Sequence, residues 1–214
     1  LPVWGFFLLW SFHAKVLPNW TTVSYVAGAL LAAWRFADLV RDPARRVARN
    51  ALLVCSALIF LALHLAPVLP IPDSVNMTNR LKGWESVGQK VDELRRGLPD
   101  PDKTFIFSDV YDVTAALAFY VPGQPRTYCA WIDGRRMNQY DLWPGPQAYK
   151  GGDAILVIKG TSDSIPRKIV PLFESVSDPI HFQSEFRGKP ARRFTLYVCK
   201  GYKGDWYTQQ TGFF

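Results

Sequence analysis

Residues 51–70 read A-L-L-V-C-S-A-L-I-F-L-A-L-H-L-A-P-V-L-P, a run without a single charge. A hydrocarbon core about 30 Å thick needs about 20 helical residues to cross it, so this stretch predicts a transmembrane helix, and the rest of the chain sorts around it. Residues 1–72 carry eight charges, six basic and two acidic, whereas residues 73–214 carry nineteen Lys or Arg and sixteen Asp or Glu. The mean hydropathy of −0.01 therefore averages a lipid-like part with an ordinary polar one. The expected fold class is transmembrane α-helices followed by a soluble mixed α/β domain with an antiparallel edge hairpin. Residues 1–72 are expected to be the C-terminal helices of a multi-span membrane domain truncated at its N-terminus, and residues 73–214 an extracytoplasmic domain.

Residues 20–40 make a poorer span, interrupted by Thr21, Thr22, Ser24, Arg35 and Asp38. Arg35 and Asp38 share one helical face near an end where Arg can snorkel, so a helix packed among others is expected. Residues 1–12 are too short to span and do not begin with Met; they are expected to be the remainder of a cut helix. A secretory signal is disfavoured, because the basic start and the small-x-small cleavage site are missing. Residues 41–49, R-D-P-A-R-R-V-A-R, hold four Arg between the two apolar segments, and the positive-inside rule puts them in the cytoplasm. Residues 11–20 and everything after Pro70 then share the opposite side. The net charge of +7 is spread without a dense basic stripe carrying interleaved aromatics, which excludes nucleic acid as an expected partner; membrane lipids are expected instead.

Within the polar part, Pro67, Pro70 and Pro72 end the apolar helix. Leu81, Trp84, Val87, Val91 and Leu94 recur at helical spacing, predicting an amphipathic helix over 79–98. A strand is expected at 104–107, and Asp109 is expected to N-cap a helix over 111–120 that Pro122-Gly123 closes. Further strands are expected at 126–130 and, between Gly151-Gly152 and Gly160, at 153–159. A helix is expected at 165–175, then an antiparallel pair at 182–187 and 194–200 turned at Gly188-Lys189-Pro190. Cys129 and Cys199 fall on two of these strands and could pair if the strands are neighbours. No His/Cys/Asp/Glu set has metal-ligand spacing, and no G-x-S-x-G, P-loop or G-x-G-x-x-G occurs.

Two polar constellations remain. His13, Lys15, Asn19 and Trp20 lie in the loop 11–20, where a lysine can hold a phosphate as a compact charge and a tryptophan can stack on a sugar. Lys and Trp at a helix end are also ordinary interfacial anchors, the reading that composition alone favours. Residues 134–145, G-R-R-M-N-Q-Y-D-L-W-P-G, gather Arg135, Arg136, Asn138, Gln139, Tyr140, Asp141 and Trp143 without helix or strand period. Such a segment suits ligand binding, with the arginines on a phosphate or carboxylate and the aromatics on a sugar face. It suits a structural loop with Asp141 paired to an arginine as well.

K-V-L-P-N-W ahead of a helix, R-L-K-G-W, L-A-F-Y-V-P-G-Q-P and above all R-R-M-N-Q-Y-D-L-W-P together resemble the C-terminal part of bacterial family 39 glycosyltransferases. These are multi-span GT-C enzymes related to protein O-mannosyltransferases and to the aminoarabinose transferases that modify lipid A. The resemblance covers about residues 15–206. It implies a multi-pass protein of the bacterial inner membrane that transfers a sugar, with inversion, from a polyprenyl-phosphate donor to a lipid or protein acceptor on the periplasmic side. It also implies that the catalytic carboxylate precedes this chain, so that no catalytic residue is expected here. No cofactor is implied within the chain, while the complete enzyme could use a divalent metal. Lys15, Asn19 and Trp20 match the motif implied to line the donor cavity near the lipid phosphate, although Thr21 stands where relatives commonly have proline. Arg136, Asn138, Gln139, Tyr140 and Asp141 match the segment implied either to cap that cavity or to fix the domain on the membrane part.

Overall fold

A computed structural model of the chain describes residues 2–14, 16, 21–66, 69, 77–130 and 138–206. The chain divides into two compact units, Leu1–Val68 and Leu69–Phe214.

The first unit contains α1 (Pro2–Trp10), α2 (Val23–Arg41), a 3-10 turn (Pro43–Arg45) and α3 (Arg46–Leu65). Asp42 separates α2 from α3: its carboxylate accepts from the Ala44 N–H at 2.9 Å, and Pro43 takes the first position of the turn. The expected span 51–70 forms a helix shifted toward the N-terminus, because the arginines are good helix formers and Pro67 stops the chain just after Leu65. Pro43–Leu65 is 23 residues long, and its most apolar stretch buries none of its residues within the chain. Among the described residues it is the one helix long and apolar enough to cross a membrane. Residues 20–40 contain a helix, α2, that carries Arg35, Asp38 and Arg41, and α1 has only 9 residues. Among the described residues one candidate span is present, so the multi-span region expected from the sequence is not shown.

The second unit is a mixed α/β fold built on a six-stranded sheet, comprising β1 (Thr104–Ser108), β2 (Thr127–Cys129), β3 (Asp153–Lys159), β4 (Phe173–Val176), β5 (Ile180–Phe186) and β6 (Lys189–Tyr202). The order is β2-β1-β3-β6-β4, with β5 alongside the other half of β6. β1 runs parallel to β2 and β3, whereas β6 runs antiparallel to β3, β4 and β5. All five residues of β1 are buried, as expected of a parallel strand covered on both faces. Ile106, Ile155, Val157 and Leu196 face α4 (Trp84–Arg96) and α5 (Tyr111–Tyr120). Phe105, Phe107, Leu156 and Tyr197 face the opposite side, where Tyr149, Ile169, Leu172 and Trp206 cover them.

Several expectations change for identifiable reasons. Residues 165–175 form no α-helix: a 3-10 turn at Val170–Leu172 leads into β4, which pairs with β6. Pro166 and Pro171 deny the segment helical N–H donors, and Ile169 and Leu172 are buried by the turn instead. The helix expected over 79–98 is a 3-10 turn (Met77–Leu81) followed by α4, broken where Gly83 takes φ +79°. The edge hairpin turns at Arg187-Gly188, both at positive φ, which is the two-residue geometry that matches strand twist; Lys189 and Pro190 already belong to β6. Asp109 does not cap α5, whose N-cap is Val110 with no side-chain bond. Cys129 and Cys199 are free. β1 and β3 lie between their strands, so about three spacings of ~4.8 Å separate them, beyond the ~7 Å reach of a disulfide.

Candidate functional site

Of the loop 11–20 constellation, Lys15, Asn19 and Trp20 lie outside the described residues. His13 is exposed, its N–H donates to the Trp10 carbonyl at 2.9 Å, and its ring stacks on Trp10 with centroids 6.2 Å apart.

In the domain loop, Arg135 and Arg136 likewise lie outside the described residues, and the polar residues after them fold back on their own backbone. Asn138 accepts from the Tyr140 N–H at 2.9 Å, and Asp141 accepts from the Asn138 N–H at 3.0 Å. This reciprocal pair is a capping box; it opens the 3-10 turn Gln139–Leu142. Gln139 is exposed. Tyr140 meets Trp143 edge to face at 5.1 Å, and burial pushes its phenol pKa up. Trp143 keeps half its surface in water. The cleft beneath, lined by Tyr128, Cys129, Tyr140, Trp143 and Trp206, encloses ≈ 10 Å³, space for about one water and not for a sugar ring. The loop therefore offers an exposed aromatic face rather than an internal pocket.

A second group of residues comes together at the carboxyl ends of the parallel strands. The β1–α5–β2 crossover places α5 on one face of the sheet, while the connection from β2 to β3 covers the other through Tyr149. The chain thus changes sides at the end of β1, the position where open α/β sheets hold ligands. Buried Ser108 donates to the Val157 carbonyl at 2.6 Å and lies 3.2 Å from the Asp109 carboxylate. Burial raises the Asp109 pKa, opposed by the Ser108 hydroxyl and by Lys159. Lys159, ending β3, forms an ion pair with Asp112 at the start of α5.

Cys129 ends β2, and its thiol is pushed up to about 11, first by burial and then by the nearby Asp141, Asp109 and Asp112, with the Thr114 hydroxyl opposing. Asp141 of the predicted loop therefore lies in the same electrostatic field as the strand-end carboxylates. The Ala130 N–H donates to the Ser108 carbonyl at 2.8 Å, tying the end of β2 to the end of β1. Sequence reading missed the group because Lys159 and Asp112 are 47 positions apart. The signal in the sequence is the polar pair Ser108-Asp109 directly after the apolar run Phe105-Ile106-Phe107, which local rules interpret as a helix cap.

The chemistry this arrangement permits is hydrogen bonding and proton exchange with hydroxyl-bearing ligands, through a carboxyl held toward its neutral form beside a lysine–aspartate pair. Cys129 stays a thiol at neutral pH and is a poor nucleophile. Asp163, His181 and Thr195 make an acid–imidazole–hydroxyl series, at 2.9 and 3.3 Å. Thr195 is buried and donates to the Gly160 carbonyl at 2.9 Å, so its hydroxyl braces a loop and is not an activated nucleophile. Among the described residues no group of three His, Cys, Asp or Glu is placed to hold a metal. In comparisons with known proteins, no family model, no curated protein and no solved structure matches the chain.

Proposed function

We propose that the chain is the C-terminal portion of an integral-membrane glycosyltransferase, resembling family 39 of the GT-C enzymes, that transfers a sugar from a polyprenyl-phosphate donor to a lipid or protein acceptor on the periplasmic side. The observation that carries this reading is the run of motifs, K-V-L-P-N-W through R-R-M-N-Q-Y-D-L-W, laid over a membrane-length apolar helix followed by an α/β unit. In this reading Lys15 stabilises the leaving phosphate as its charge develops. Asn19 and Trp20 shape the donor cavity, and the segment 135–143 recognises substrate or anchors the α/β unit. The base that activates the acceptor hydroxyl is supplied by sequence preceding this chain.

The test is sugar transfer from a labelled polyprenyl-phosphate donor in membranes containing the intact protein. Lys15→Ala is expected to lower transfer at least a hundredfold, the order of loss when one charge-stabilising donor is removed, with expression unchanged. Equal activity refutes the phosphate role.

One observation favours a second reading, a non-catalytic membrane-anchored module that binds a glycan or partner. Trp143, half exposed beside Tyr140, is a stacking platform that needs no reactive group nearby. Retention on immobilised glycans by the wild type and not by Trp143→Ala, with no transfer by the intact protein, selects this reading.

A further inference from the structure

The C-terminal end of α2 and the 3-10 turn Pro43–Arg45 that leads into α3 border an open, charged concavity. It is lined by Arg35, Asp38, Arg41, Asp42, Pro43 and Arg45 and measures ≈ 460 Å³, within the ~300–1,000 Å³ typical of sites for small ligands. Arg35 pairs with Asp38 at 3.5 Å and Arg45 with Asp42 at 2.9 Å, and the arginines are 64% and 52% exposed. Exposed pairs of this kind hold their partners weakly, so both guanidinium groups are free to turn to a stronger ligand. Arg41 is exposed and forms no ion pair among the described residues. Arg46 and Arg49 follow within the first turn of α3, which brings the local balance to five basic groups against two acidic ones.

The position of this charge identifies the ligand. The concavity sits at the start of Pro43–Leu65, whose apolar side chains lie uncovered over a membrane-crossing length. Exposed Trp34, with the Arg35 guanidinium 5.9 Å from its ring centre, suits the level of lipid headgroups. An anion at that depth is a lipid phosphate, and the planar guanidinium matches phosphate oxygens in pairs. We infer that the concavity between α2 and the Pro43–Arg45 turn binds the phosphate of an anionic phospholipid headgroup, with Arg41 as its main ligand and Arg35 and Arg45 turning from their aspartates to complete the site. The inference rests on the membrane part of the proposed function and on nothing in its enzymology.

The full chain is floated with vesicles of phosphatidylcholine alone and of an equimolar mixture with phosphatidylglycerol. It is then extracted into detergent, and retained lipids are counted by native mass spectrometry. The chain is expected to float with both vesicles, to retain phosphatidylglycerol preferentially, and to lose that preference as salt is added. Arg41→Gln is expected to weaken the preference about fivefold, the contribution of one basic residue near an anionic surface. Arg41→Lys keeps most of it, which separates lost charge from misfolding. Arg167→Gln, the same charge change at an exposed site in the second unit, leaves it intact. Failure to float on phosphatidylcholine overturns the membrane reading itself. Flotation without a phosphatidylglycerol preference, or an Arg41→Gln variant matching wild type, overturns the headgroup site alone. Displacement of bound lipid by soluble glycerol phosphate marks a free-phosphate site and overturns the lipid assignment.

Discussion

Replacing Gly88 by alanine sets helix propensity against tertiary packing in one experiment. Gly88 lies in the middle of α4, where alanine is favoured over glycine by ~1 kcal/mol, so local reasoning predicts stabilisation. A Cβ at this position would overlap the Tyr120 carbonyl oxygen and lie 2.5 Å from its carbon and 3.0 Å from the Val121 nitrogen. These are backbone atoms at the end of α5 and cannot rotate away, so α4 and α5 must separate. Overpacking costs ~1–3 kcal/mol, and rigid neighbours place this case near ~3 kcal/mol. Subtracting the propensity gain leaves a net loss of about 2 kcal/mol, which corresponds to a fall of ~4–8 °C in Tm for a unit of this size. The assay is thermal unfolding of the chain in mild detergent, followed by near-ultraviolet circular dichroism. Gly97→Ala is the control: its Cβ would meet only the Glu93 and Leu94 carbonyls at 3.5 Å, and φ is −76°, so a gain of ~0.4–1 kcal/mol is expected. A Gly88→Ala variant as stable as Gly97→Ala would refute the close approach of the two helices.

Asp109 should give the α/β unit a pH signature. Its folded pKa lies above the ordinary carboxylate value because of burial, so the folded state binds more protons than the unfolded state, and stability falls as pH rises from the unfolded pKa through the folded one. Asp109→Asn removes that dependence: in urea unfolding the variant's advantage over wild type is expected to grow with pH across this window and then level off, and a pH-independent difference contradicts the burial argument. Single-cysteine labelling in membranes should place residues 11–20 and 73–214 on the same face, opposite the arginines of 41–49; labelling from opposite faces overturns the topology expected from the arginine loop.

Features encoded by neighbouring residues were legible in the chain alone. The α5 helix and strand β3 have the bounds expected from their turn residues, because Pro122-Gly123, Gly151-Gly152 and Gly160 act within a few positions of themselves. Of the charge-free run 51–70, residues 51–65 form the expected helix for the same reason, since length and apolarity are local properties. Residues 165–175 were misread: their apolar spacing fits a helix, yet the vacant edge of β6 offers backbone partners to residues 173–176, and two prolines weaken the alternative. Sheet order is likewise nonlocal, and it alone decides that Cys129 and Cys199 stand apart. The strand-end group of Asp109, Asp112, Lys159 and Asp141 exists because parallel pairing of β1 with β2 and β3 aligns their carboxyl ends, bringing together residues that no short window of sequence contains. What the sequence by itself determined was where helices and strands can form, since backbone propensity and side-chain period act over a few residues. Tertiary structure decided which side chains share an electrostatic field, because strand pairing is chosen by the burial of the whole sheet.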